Sequence, residues 1–142
     1  MSSGGVLAID QGTSSTKALL FNADGQVVAR ASRSTRTQHP QAGWAEQDGE
    51  EIWASVVGVI ADIVSQGHRV AAIGLTNQRE TVGLWNQNGA PVAPFVLWQC
   101  RRTSDRCAAL RASEELVTSR TGLALDPMFS ATKLAWLLDS ES

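Results

Sequence analysis

The chain has 142 residues, of which 43% are hydrophobic and 18% are charged, and its formal net charge is −2. That length suits one domain with a hydrophobic core, and the composition is typical of an ordinary globular protein. The negative charge argues against a partner such as nucleic acid or an anionic membrane, and apolar runs such as residues 56–60 are too short for membrane insertion. The first five residues carry no basic side chain, so we expect no secretory signal and a cytoplasmic protein.

The first half of the chain predicts a strand meander followed by a helix. Its apolar runs predict strands over residues 5–9, 16–21 and 26–37. Asp24-Gly25 is a hairpin signal, so consecutive strands should be antiparallel neighbours. Asp48, with Glu51 three residues later, resembles a capping box at the start of a helix. Apolar residues then recur at helical spacing over residues 52–64, before a stop at Gly67.

The second half predicts further strands and then helices. Residues 70–75 form a compact apolar run, which is typical of a buried strand in an α/β domain. Two more strands are predicted over residues 81–85 and 95–98, on either side of a turn at Asn88-Gly89. Helices are predicted over residues 104–112, 114–120 and 131–139, with caps at Ser113 and Ser130. Cys100 and Cys107 have a spacing that favours buried thiols in a reducing compartment.

Residues 10–17, with the sequence Asp-Gln-Gly-Thr-Ser-Ser-Thr-Lys, form a distinctive polar segment after the first strand. The segment matches neither the P-loop nor the dinucleotide fingerprint. Asp10 could hold a hydrated Mg²⁺, Gly12 allows close backbone approach, and Lys17 supplies a compact cation. Hydroxyl donors for an anion stand at Thr13, Ser14 and Ser15. The same residue types also build plain hairpin turns, so the segment alone leaves a phosphate clamp and a polar turn both open.

Several further segments accompany residues 9–17 in a characteristic order, namely residues 43–48, 51–53, 71–81, 98–103 and 121–123. Together they resemble the FGGY family of carbohydrate kinases, and within it the glycerol kinases. The resemblance extends over almost the whole chain. It implies an α/β fold of the ribonuclease H-like, actin-like ATPase type, a mixed sheet with flanking helices. Residues 1–142 would then form a partial N-terminal domain, without the C-terminal domain.

The resemblance implies that residues 10–17 contact the phosphates of ATP. The threonine of this motif, here Thr13, would touch the transferring phosphate, with Ser14 and Ser15 beside it. Asp10 would be the acid associated with Mg²⁺. Lys17 stands where glycerol kinases often have arginine, which keeps the charge but loses the planar guanidinium.

The resemblance also implies a small polyol or sugar substrate held by Arg79 and Glu80. A cationic donor beside a carboxylate acceptor can satisfy two neighbouring hydroxyls at once; a surface ion pair is the alternative for these two residues. Trp98 would form an apolar wall against the carbon skeleton, with core packing as its alternative. At residue 128 glycerol kinases have a substrate-binding tyrosine, whereas this chain has Met128 and no tyrosine at all. Glycerol is therefore the first expectation for the substrate, and a pentulose such as xylulose is the alternative.

The resemblance places the catalytic base, an aspartate in a Gly-Asp-Gln segment, beyond Ser142. We therefore expect no catalytic residue among these 142 residues and no turnover by the chain alone. Unsatisfied sheet edges would favour a homo-oligomer. Three functions stay open: part of an ATP-dependent kinase, a non-catalytic sugar- or nucleotide-binding module, and a structural domain of actin-like fold. Polyol binding that Arg79→Ala abolishes would exclude the third.

Overall fold

The structure, a computed structural model, describes residues 4–140, which fall into two compact units. The first unit takes in the chain up to Thr37 together with Asp48–Gln78, and the second takes in Gln38–Gln47 and the chain from Arg79 onward. No helix within residues 4–140 is both long enough and apolar enough to cross a membrane.

The chain contains both strands and helices, as expected for an α/β protein. In chain order they are β1 (Gly5–Gln11), β2 (Ser15–Phe21), β3 (Val27–Ser34), β4 (Glu46–Gln47), α1 (Gly49–Val64), β5 (Val70–Asn77), β6 (Phe95–Val96), α2 (Ser104–Ala109), a 3-10 turn (Arg111–Ser113), α3 (Glu114–Thr121) and α4 (Ser130–Ser140).

The first unit is a four-stranded sheet in the order β3-β2-β1-β5. The strands β1, β2 and β3 form the predicted antiparallel meander, whereas β5 runs parallel to β1. Alternate side chains of the meander point towards α1, which packs mainly on β2 and β3. The apolar core of this unit consists of Leu7, Ile9, Ala18, Leu20, Ala29, Val59 and Ile63.

Helix α1 begins at the predicted cap. The Asp48 carboxylate accepts hydrogen bonds from the backbone N–H groups of Glu50 (2.8 Å) and Glu51 (3.4 Å). The Glu51 carboxylate instead accepts from the backbone N–H of Arg36 (2.8 Å) and from its guanidinium (3.3 Å), so it ties the helix start to the chain after β3. The predicted cap is therefore confirmed at Asp48, while Glu51 serves a tertiary contact.

Strand β5 was predicted to be buried, and this prediction is wrong for the described residues. Ile73 is 57% exposed and Leu75 is 67% exposed. The strand lies at the end of the sheet order, where it pairs with β1 on one side, and α1 packs chiefly on the far half of the sheet. An apolar run predicts that a strand can be buried, but the neighbouring elements decide whether it is.

The second unit contains a short β4–β6 pair and the helices α2 to α4. The predicted strand over residues 81–85 is wrong: it reduces to isolated bridges from Val82 to Val96 and from Trp85 to Pro91. A Cβ atom at Gly83 would stand 2.3 Å from the Phe95 ring, so the chain passes close over that ring where a regular ladder would have a side chain. The predicted strand over residues 95–98 and helix over residues 104–112 are both shorter in the structure. Cys100 and Cys107 are free and buried, as predicted.

The Arg102 side chain is a buried cation that contacts two of the four tryptophans of the second unit. It is 1% exposed, and its guanidinium donates to the Glu46 carboxylate at 2.6 Å. The guanidinium carbon lies 3.8 Å from the centre of the Trp44 ring and 4.6 Å from that of Trp136. The two indoles contact each other edge to face with centroids 5.4 Å apart. A buried ion pair is thus supplemented by two cation–π contacts, which favours a single arrangement of these chains.

We expect Arg102→Ala to lower the free energy of unfolding of the second unit by about 3–5 kcal/mol, because it leaves the Glu46 carboxylate buried without its cation. Urea unfolding followed by tryptophan fluorescence would measure this, since Trp53 is the only one of the five tryptophans outside the second unit. The matched control is Arg106→Ala, which removes a solvent-exposed pair with Asp139 and should cost less than about 1 kcal/mol. Equal costs for the two variants would contradict the importance of the Arg102 network.

Candidate functional site

The candidate phosphate clamp (residues 10–17) spans the end of β1, a short turn and the start of β2. Asp10 lies in β1, opposite Lys17 of β2 on one side and Thr76 of β5 on the other. Directly opposed residues of antiparallel strands place their side chains on the same face, so the predicted anion and cation of the clamp are neighbours. Both side chains are exposed. The turn between the strands consists of Gly12, Thr13 and Ser14.

Backbone hydrogen bonds hold this turn tightly. The Gly12 N–H donates to the Ser15 carbonyl at 3.0 Å, and the Thr35 N–H donates to the Ser14 carbonyl at 3.1 Å. The Thr35 hydroxyl donates to the Thr13 carbonyl at 2.9 Å. A Cβ atom on Gly12 would stand 3.1 Å from the Ser15 carbonyl oxygen, so a larger residue would have to widen the turn. The segment is therefore a fixed hairpin turn, as the second of the two interpretations of the sequence predicted.

Gln78 contacts the candidate clamp, although no sequence pattern predicted a role for it there. The Thr13 hydroxyl donates to the Gln78 side-chain carbonyl at 3.0 Å, and the Gln78 backbone N–H donates to the Gln11 carbonyl at 2.7 Å. This contact follows from the parallel pairing of β1 and β5, which brings the carboxyl ends of both strands to one edge of the sheet. Because the pairing joins segments far apart in sequence, no local pattern indicates it.

Asp10 could bind a magnesium ion only together with the phosphate oxygens of a bound ligand. Within residues 4–140 no group of three or more His, Cys, Asp or Glu side chains is arranged to hold a metal. Mg²⁺ usually keeps several waters and needs only one or two carboxylates when phosphate oxygens complete its shell. An exposed Asp10 beside hydroxyl and backbone donors fits that mode of binding.

In the second unit, Glu80 has an unusual backbone with a φ of 64°. A side-chain-bearing residue in this left-handed region is uncommon and costs about 1 kcal/mol or more, and such residues cluster at functional sites. Two hydrogen bonds from Ser130, at the start of α4, hold the Glu80 carboxylate: the backbone N–H donates at 3.0 Å and the hydroxyl at 2.7 Å. Ser130, predicted as a helix cap, therefore orients a candidate substrate ligand.

Lys133 is the second residue that the sequence did not reveal as part of a site. Its side chain is fully buried, and its ammonium donates to the backbone carbonyls of Glu80 (3.0 Å), Trp98 (3.4 Å) and Met128. Three of the four predicted polyol-binding residues therefore meet at one cation. Burial lowers the pKa of Lys133 to about 8, against the favourable charges of Cys100, Glu80, Asp126 and Cys107.

The remaining candidate side chains are accessible to a ligand. Trp98 is 39% exposed and Met128 is 36% exposed, so both present apolar surface. Arg79, next to Glu80, is exposed. Both backbone groups of Met128 are hydrogen-bonded. Lys133 donates to its carbonyl, and its N–H donates to the Asp126 carboxylate at 2.7 Å. That backbone N–H, with Arg101 beside it, lowers the pKa of Asp126.

The structure thus assembles two groups of candidate residues. The clamp residues belong to the first unit, and Arg79, Glu80, Trp98 and Met128 belong to the second. The chain passes directly from one group to the other, because Gln78, which contacts the clamp, precedes Arg79. The first group offers hydroxyl and backbone donors next to a carboxylate, and the second offers a guanidinium, a carboxylate and an indole.

Comparisons with known proteins agree on one class, the carbohydrate kinases. Xylulose kinase of Rhodospirillum rubrum superposes with a TM-score of 0.88 at 32% identity, covering 95% of this chain and 29% of that one. Plasmodium falciparum glycerol kinase, solved with ADP, superposes with a TM-score of 0.87 at 27% identity, covering 96% of this chain and 29% of that one. Glycerol kinase of Ectopseudomonas mendocina is 46% identical, covering 95% of this chain and 29% of the relative.

The model of the FGGY family of carbohydrate kinases, N-terminal domain, matches residues 5–142. The chain belongs to the FGGY family of carbohydrate kinases. The expected α/β fold and family are therefore confirmed. The chain spans less than a third of the length of the curated relatives that it matches.

The lowered pKa of Lys133 predicts a pH-dependent stability. Between pH 8 and 10.5 the unfolded lysine is protonated while the folded one loses its proton, so the unfolded state binds more protons. The contribution of Lys133 to the free energy of unfolding should therefore rise with pH across this window and be lowest below pH 8. The slope should approach about 1.4 kcal/mol per pH unit at most.

Urea titrations at several pH values, on the wild type and on Lys133→Met, would measure this slope. The variant should lose the rise between pH 8 and 10.5, and Lys17→Met, which retains Lys133, should keep it. A wild-type slope that persists in Lys133→Met would contradict the prediction.

Proposed function

We propose that these 142 residues are the phosphate-contacting and polyol-binding part of a longer ATP-dependent kinase that phosphorylates a hydroxyl of a small polyol or sugar. The single observation that carries the proposal is the Glu80 carboxylate, held by Ser130 in a strained backbone beside Arg79 and Trp98. An ion pair that only stabilises the fold would not require a left-handed backbone at Glu80. The short share of its relatives that the chain covers supports the view that further segments complete the enzyme.

The proposed roles follow from the donors and acceptors present. A hydroxyl both donates and accepts, so Glu80 would accept from one substrate hydroxyl while Arg79 donates to the same or a neighbouring one. The bonds from Ser130 use one oxygen of the Glu80 carboxylate, and a carboxylate has about four lone-pair sites in all. Trp98 would cover the carbon skeleton and exclude water from one side.

On the phosphate side, the turn of Thr13 and Ser14 would bind the nucleotide through hydroxyl and backbone donors, and Lys17 would add a positive charge. Because Thr13 already donates to Gln78, its hydroxyl must turn away from that amide to donate to a phosphate oxygen. Asp10 would hold Mg²⁺, which supplies charge neutralisation at the phosphates when bound. Phosphoryl transfer depends mainly on such positioning and charge stabilisation.

Glycerol is the proposed substrate, and a pentulose such as xylulose is the second candidate. The identity to glycerol kinases favours glycerol. Met128 favours the second candidate, because a thioether cannot make the directed hydrogen bond of a tyrosine hydroxyl. The Rhodospirillum rubrum xylulose kinase, at 32% identity, shows that the fold alone does not separate the two.

The experiment that tests the function is a substrate panel with the full-length protein that carries this chain, using ATP with glycerol, a tetritol, xylulose and gluconate. We expect phosphorylation of one of these, its loss in Arg79→Ala, and no turnover by residues 1–142 alone. A full-length wild-type protein that binds none of the four compounds would exclude the polyol kinase and favour a structural domain.

We expect Met128→Tyr to raise kcat/KM for glycerol in the full-length enzyme by about fivefold or more, since a buried hydrogen bond is worth about 1–3 kcal/mol in such comparisons. Met128→Phe is the matched control, because it adds a ring without the hydroxyl and should gain little. Steady-state kinetics would decide. Equal kcat/KM values for wild type and Met128→Tyr would remove residue 128 from the determinants of glycerol use.

A further inference from the structure

Lys133 joins three segments of the second unit that are distant in sequence. Its ammonium bonds the carbonyls of Glu80 after β5, of Trp98 after β6, and of Met128 before α4. Each of these residues also has its side chain among the candidate polyol ligands. Ser130, one helical turn earlier on α4, holds the carboxylate of the same Glu80. The first turn of α4 therefore fixes both the main chain and the side chain of this residue.

The protonation state of Lys133 matters for this arrangement. An ammonium group has three N–H donors, which match the three carbonyl acceptors, and the Lys133 side chain is fully buried. A neutral amine has two donors and one lone pair, so one carbonyl would lose its donor and face a lone pair instead. The segment that carries this carbonyl would then be free to shift locally, although loss of the buried charge stabilises the fold as a whole.

We propose that Lys133 is a positioning residue of the polyol site, and that its charged form holds Glu80, Trp98 and Met128 at the spacing that binds substrate. The identity of the ligand rests on the proposed function, whereas the three hydrogen bonds of Lys133 do not depend on it. Lys133 touches no substrate in this scheme; it acts through the three main-chain segments that it joins.

Groups around Lys133 favour its protonated form near neutral pH. Burial opposes the charge, while Glu80, Asp126 of the loop before α4, Cys100 after β6 and Cys107 of α2 favour it. The resulting pKa of about 8 lies close enough to neutrality for deprotonation to occur in an accessible range. Polyol affinity should therefore fall as pH rises through about 8, while ATP affinity should not follow the same curve.

Lys133→Met is the decisive variant, because it leaves an unbranched apolar side chain and removes all three donors. In the full-length enzyme, with glycerol and xylulose as probes, we expect KM for the polyol to rise about tenfold or more. KM for ATP should stay within about twofold, since the clamp residues belong to the first unit. The wild-type KM for the polyol should increase between pH 7 and 9.5, and that of Lys133→Met should be flat.

Two controls separate positioning from a general loss of structure. Leu134→Met places methionine at the next, exposed position of α4 and should leave the polyol KM and its pH profile unchanged. Lys133→Gln, which retains amide donors on a shorter chain, should lie between wild type and Lys133→Met. An unchanged polyol KM in Lys133→Met, or the wild-type pH profile in that variant, would overturn the proposal.

Hydrogen–deuterium exchange tests the geometry without any substrate. We expect Lys133→Met to speed exchange in peptides that contain residues 79–82, 97–100 and 127–130, and Leu134→Met not to do so. This result would support the positioning role even if the substrate panel failed. Unchanged exchange in all three segments would overturn the positioning role even if the enzyme were a polyol kinase.

Discussion

The parallel pairing of β1 with β5 is the constraint on which the candidate phosphate clamp depends. It sets the ends of these two strands side by side, so that the turn after β1 meets Gln78 directly after β5. The next residues along the chain, Arg79 and Glu80, begin the longer segment of the second unit. A single register in the first unit therefore fixes the contact between Thr13 and Gln78. Within β1, burial of Leu7 and Ile9 in the core maintains that register, because a shift by one residue would expose both.

The second unit has short strands and a small apolar core. Two buried cations stabilise it in place of a larger sheet. Arg102 joins two indoles and a carboxylate, and Lys133 joins three carbonyls. Both are costly to bury and are tolerated because nearly every donor has an acceptor. Such polar centres define relative positions more sharply than apolar contacts do, which suits a unit whose proposed task is to present a few side chains to a ligand.

Local pattern predicted the meander, the hairpin turn, the Asp48 cap and the existence of every helix, because each of these depends on residues close in sequence. It failed at residues 81–85, where the Phe95 ring lies against Gly83, and at β5, whose exposure depends on which element covers it. The resemblance supplied the candidate ligands. It did not supply the contacts of Gln78, Ser130 or Lys133 with the candidate ligands, because these contacts join segments that are distant in sequence.

The left-handed backbone at Glu80 has a consequence for how this protein can change. Glycine adopts that conformation without strain, and asparagine and aspartate tolerate it better than other residues. A glycine there would relax the main chain but delete the carboxylate, and aspartate would keep the carboxylate while withdrawing it by one methylene. Under the proposed function, backbone stability favours glycine at this position and substrate binding favours glutamate, so no single residue meets both requirements fully.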